Sequence, residues 1–143
     1  MSLSEILDIA KFLLSNPLPQ KKWAWARSIA NRSYYGALHK ISSHLDINSW
    51  EGHEKVPDWL KQQKMAQTLI NWRLLQAARI YSDYFDSASD FKEPNLREGG
   101  FKSWFSHNTG QVNSAISVSA ENFADYAYEL AKNCLADVIP GTL

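Results

Sequence analysis

Between Gln20 and Asp46 the apolar side chains return every three or four residues, and no stretch of the chain alternates apolar with polar in the rhythm of a half-buried strand. With Arg32 set at zero and about 100° per residue, Trp23, Ala26, Ala30, Tyr34, Ala37, Leu38, Ile41 and Leu45 share an arc of about 120°. This spacing predicts one long helix with that arc turned to a core. Ser2–Ser15 shows the same periodicity, with Ser4 as a cap and "NPLP" as a stop. Pro57 is expected in the first turn of a brief helix reaching Gln63, and "MAQTLINWRLLQAARIYSDYFD" reads as a further, largely apolar helix. The last helix starts at Ser119 and buries Phe123, Tyr126, Ala127, Leu130, Ala131, Cys134, Leu135 and Val138. Residues 88–118, rich in Gly, Asn and Ser, read as a long loop carrying Arg97 and His107. The expected fold is all-α: an up-and-down bundle of four to five helices in a single domain, residues 1–143, with a loop insertion at about 91–117.

The charge pattern narrows the function classes. Fifteen Lys and Arg balance fifteen Asp and Glu, so the chain is not the strongly basic coat of an indiscriminate polyanion binder. The charges are nevertheless segregated. Between Asp8 and Asp46 stand Lys11, Lys21, Lys22, Arg27, Arg32 and Lys40 without one acid, which suits a small anionic ligand or a complementary partner. The lone Cys134 has no disulfide partner, and no leader or membrane span is read from the apolar runs, so a cytoplasmic protein without membrane attachment is expected.

Several chemistries lack their residues. There is no P-loop and no dinucleotide-binding glycine fingerprint. Among the four histidines, His39 and His44 lie five apart and diverge by about 140° around a helix, so no metal pair is expected and no cofactor is called for.

What remains is "NRSYYGALHKISSHL", residues 31–45. Arg32 and His39 are two helical turns apart, roughly 10 Å along the axis, close enough to converge on a phosphate. Tyr35, Gly36, Ser43 and Trp25 fall on the same side, opposite the core arc, with Trp25 and Tyr35 available to stack on unpaired bases. A guanidinium that holds phosphate oxygens beside an imidazole that moves protons near neutral pH suits attack of a ribose 2′-hydroxyl on its own phosphodiester, without a metal. Gly36 costs about 1 kcal/mol in a helix interior relative to Ala, so close approach of another backbone or a ligand is expected there. By spacing alone, roughly one chain in seven of this composition would carry such a pair, and two solvated side chains produce it equally well.

The words "RSYYGALH" resemble the R-x-Y-Y-x-x-F-H signature of the HEPN superfamily of small helical domains found in toxin–antitoxin and other defence systems. "LLQAARIYSDYF" and "SAENFADYAYELAKNCLADV" are similar to that family's later helices, so the resemblance covers most of residues 20–138. It implies a metal-independent endoribonuclease, a toxin or defence effector leaving 2′,3′-cyclic phosphate ends. Arg32 would bind phosphate and His39 would do the acid/base work, with Asn31, Ser33, Tyr35 and Ser43 as supporting or substrate-contacting residues. It also implies a homodimer whose motif helices face one another, with Gly36 at the contact. The chain departs from the pattern at Ser33, where active members often carry Asn, at Leu38 before the histidine, and at Ile41, where some toxins carry a modified Tyr. The other reading the resemblance allows is a non-catalytic helical module that binds a partner such as a nucleotidyltransferase-type antitoxin. A nucleic-acid binder without catalysis would instead show a broad basic surface.

Overall fold

The computed structural model describes residues 5–84 and 120–141. Among these the chain is an all-α bundle of five α-helices with no strand: α1 (Ile6–Leu14), α2 (Lys22–His44), α3 (Gly52–Gln62), α4 (Ala66–Tyr84) and α5 (Ala120–Val138). Short 3₁₀ turns at Pro19–Lys21 and Ser49–Glu51 lead into α2 and α3. The expected loop insertion at 91–117, with Arg97 and His107, lies outside the described residues, as do Ser4, Ser119 and the Trp23 side chain. None of the described helices is long and apolar enough to cross a membrane.

The long helix α2 is the centre of the bundle, packed against α1, α3, α4 and α5. The arc read from the sequence is in the core: Ala26, Ala30, Tyr34, Ala37, Leu38 and Ile41 are buried. So are Trp25, Ile29, Ser33, Gly36 and Ser42, because α1 and α3 cover sides of α2 that a single apolar stripe would leave to solvent. Trp25 donates its indole N–H to the Leu13 carbonyl at 2.5 Å and thereby closes the end of α1 onto α2.

Gly36 makes that closure possible. A Cβ placed there would stand 2.8 Å from the backbone nitrogen of Leu7 and 2.9 Å from its Cβ. The backbone that approaches Gly36 is therefore that of α1 in the same chain, and the glycine lies inside the protomer rather than on a surface that a second copy could meet. Ala at 36 would gain about 1 kcal/mol of helix propensity. Against this, overpacking a core costs about 1–3 kcal/mol, and the group in the way is backbone that no rotamer change can move. Gly36→Ala is expected to lower the unfolding free energy by about 1–2 kcal/mol with an unchanged denaturant slope. Urea titration read alongside gel filtration checks this, since a change of oligomeric state at full stability would return the glycine to a contact between copies.

Helix α3 begins at Gly52, so Pro57 sits in its interior and not in its first turn as expected. Gly52 is enclosed because α3 starts against α2, where a Cβ would meet Ser42 Oγ at 2.5 Å and Leu38 Cδ1 at 2.7 Å. Pro57 has no N–H to give the carbonyl four residues earlier, that of His53. The vacancy is filled from another helix: Gln76 of α4 donates its Nε2–H to the His53 carbonyl at 3.2 Å. Both α2 and α3 end with a residue in left-handed conformation, Asp46 (φ 56°) and Lys64 (φ 59°). The next amide in each case reaches back five residues, Ile47 to Ser42 and Met65 to Leu60, so each helix closes its last carbonyls without a glycine.

Candidate functional site

Three helices bring polar and aromatic side chains together around the middle of α2. Tyr34 is fully buried, with its ring 5.3 Å from that of Trp72 and 5.4 Å from the His53 imidazole, the latter nearly parallel. Its neighbour Tyr35 is half-buried and points about 100° further round the helix. There it stacks loosely on His39 at 6.4 Å and meets His53 edge-on at 5.9 Å. From α4 the guanidinium of Arg79 lies 5.5 Å from the Tyr34 ring and 5.7 Å from the Tyr35 ring, within range of a cation–π attraction. The result is a cluster of two imidazoles, two phenol rings and one guanidinium contributed by α2, α3 and α4.

Hydrogen bonds fix part of it. The Tyr34 hydroxyl lies 2.5 Å from His53 Nδ1, and Gln76 Nε2 lies 3.2 Å from the same hydroxyl as well as from the His53 carbonyl. Burial pushes the Tyr34 phenol up to about 12, so it keeps its proton. His53 is held below its ordinary value by burial, by the positive charge of Arg79 and, where His39 is protonated, by repulsion from it. His39 is likewise lowered, by burial. Both imidazoles are therefore neutral at pH 7, the form in which one can accept a proton.

The site residues singled out by the sequence on α2 can each be located. Arg32 and His39 are both half-buried on α2, two turns apart, and the guanidinium of Arg32 reaches the Ser28 carbonyl of its own helix at 3.5 Å. Tyr35 belongs to the cluster just described. Asn31 is half-buried and Ser43 is exposed near the end of α2. Ser33 is fully enclosed and makes no hydrogen bond among the described residues, so it cannot touch a substrate as expected. Trp25 is buried and committed to α1, which removes it as a platform for bases. Cys134 is buried, its thiol pushed up to about 12, and it acts as a core side chain.

Two members of the cluster were not assigned from the sequence. His53 was hidden by placing Pro57 in the first turn of α3, which left the histidine outside any helix. Pro57 was nevertheless the available signal, because the carbonyl it deprives is that of His53. Arg79 stands in "LLQAARIY", a segment that carried the family resemblance, but no spacing rule ties it to a histidine on another helix. No group of three or more His, Cys, Asp or Glu side chains suited to a metal ion occurs among the described residues.

In comparisons with known proteins, no family model, no curated protein and no solved structure matches the chain.

Proposed function

We propose that the chain is a metal-independent endoribonuclease of HEPN type, a toxin or defence effector, that uses Arg32 and His39. The observation that carries this reading is the half-buried stripe of α2, where Arg32, Tyr35 and His39 lie on one side and the Tyr35 ring that stacks on His39 also meets a second imidazole, His53, and a second guanidinium, Arg79. Neutral His39 takes the proton of a ribose 2′-hydroxyl as that oxygen bonds to phosphorus. The bond from phosphorus to the 5′-oxygen breaks, and the proton passes from His39 to the departing oxygen. Arg32 holds the non-bridging oxygens while negative charge builds on them. The products are a 2′,3′-cyclic phosphate and a 5′-hydroxyl. RNA is the substrate, and two copies of α2 meeting across a dimer would present two such stripes to one strand.

The test is incubation of the purified full chain with total tRNA and with an unstructured RNA in EDTA. Fragments ending in 2′,3′-cyclic phosphate are expected. Intact RNA in the presence of folded protein would reject this activity and leave the helical module that binds a partner, such as a nucleotidyltransferase-type antitoxin.

A further inference from the structure

The hydrogen bonds around His53 point to the nitrogen that carries its hydrogen. Gln76 Nε2 sits between two oxygens, and one of them, the His53 carbonyl, can only accept. The amide nitrogen therefore faces both, giving one hydrogen to the carbonyl and the other to the Tyr34 hydroxyl oxygen. Gln76 Nε2 can only donate to the Tyr34 oxygen, which leaves His53 Nδ1 at 2.5 Å as the one acceptor for the buried Tyr34 O–H among the described residues. A neutral imidazole whose Nδ1 accepts carries its hydrogen on Nε2. The relay runs in one direction, from Gln76 through Tyr34 to His53, and begins at the carbonyl that Pro57 leaves open.

His53 also lines a groove of about 490 Å³ with Trp50, Glu51, Glu54 and Lys55. Among the described residues, the charged or titratable groups that act on it are Tyr34, Tyr35 and His39 from α2 and Arg79 from α4, with Glu54 and the Glu51–Lys55 ion pair along the groove. We propose that His53 is a fixed hydrogen-bond donor, presenting Nε2–H to a phosphate oxygen of the bound RNA, rather than a second proton shuttle. This rests on the ribonuclease reading for the identity of the ligand, whereas the tautomer rests on the hydrogen bonds alone. A donor that stays neutral suits charge that develops on phosphate oxygens, because it needs no proton transfer of its own and does not compete with His39 for a proton. The Arg79 guanidinium lies against the same Tyr34 and Tyr35 rings that contact the His53 imidazole.

The experiment has two arms on the full chain. In the first, ¹⁵N NMR at pH 7 reads the tautomer of His53 and its response to inorganic phosphate. The Nε2–H form is expected, with the Nε2 resonance moving as phosphate is added and the tautomer becoming mixed in Tyr34→Phe. In the second arm, His53→Ala is expected to cleave RNA about 10²- to 10³-fold less efficiently, as when one donor to a developing oxyanion is removed. His53→Gln places an amide N–H close to the position of Nε2 and keeps an acceptor within reach of Tyr34. It should retain activity within about tenfold of wild type, with an unchanged pH profile. An Nδ1–H tautomer in wild type overturns the proposal. So does cleavage by His53→Ala at the wild-type rate, or a His53→Gln variant as slow as His53→Ala and lacking one limb of the pH profile, which would make His53 a proton shuttle. If wild type itself leaves RNA intact, the ribonuclease reading fails separately, and the phosphate response then decides whether His53 is a donor to phosphate oxygen.

Discussion

Replacing His39 by alanine is expected to lower kcat/KM for RNA cleavage by about 10³-fold, in the range that loss of a general acid or base produces. The fold should survive. His39 Nδ1 is buried without a hydrogen bond among the described residues, so truncation removes a polar atom that the folded state leaves unsatisfied. Against that gain stands the loose stacking on Tyr35, and the net change in stability is expected to stay within about 1 kcal/mol. The pH dependence has a definite sign. Because burial depresses His39 from its ordinary 6.5, the neutral base is already formed at pH 7, and wild-type activity should fall as pH drops through a value below 6.5. Rates across pH 4.5–8 for both proteins, with circular dichroism melts as the control, check this. A His39→Ala protein that cuts RNA at the wild-type rate would end the mechanism.

Trp72→Ala is expected to cost about 3–5 kcal/mol of unfolding free energy, the range for truncating a large buried aromatic side chain. Trp72 is fully buried on α4 and lies against the Tyr34 ring at 5.3 Å, between the core and the candidate site. The empty volume would have to be refilled by α2 and α4 moving together, and these helices are already tied by the Arg27 side chain bonding the Ser82 carbonyl at 2.6 Å. A loss of this size consumes a large part of a typical domain's stability of about 5–15 kcal/mol. Equilibrium urea unfolding measures it, and a change below about 1 kcal/mol would mean that the indole does not fill the interior as described.

The helices were legible where one period governed them. Residues 22–44, 66–84 and 120–138 are helical in the structure much as their apolar spacing predicts, because each buries a continuous stripe. Spacing within α2 could not show that α1 covers its other side, and for that reason Trp25 is buried where the wheel put it towards solvent, while Ser33 is buried at the margin of the core arc. Gly36 was read correctly as a point of close approach, but only the packed chain identifies Leu7 as the neighbour. The start of α3 was misplaced because an interior proline is tolerated only when some other group takes the stranded carbonyl. Here that group is Gln76, more than twenty residues away in sequence. For the same reason spacing singles out Arg32 and His39, on one helix, as candidates, while His53 and Arg79, which meet Tyr35 only through tertiary packing, have no such signal.

The interior proline of α3 also makes distant positions depend on one another. A residue with an amide hydrogen at 57 would offer the His53 carbonyl a partner within its own helix, and Gln76 would then lose one of the two oxygens that orient its amide. Pro57, Gln76, Tyr34 and His53 should therefore act as a single thermodynamic unit, in which the effect of changing two members differs from the sum of changing each. The regularity given up in one turn of a short helix becomes a means by which three separate helices agree on the direction of a single proton.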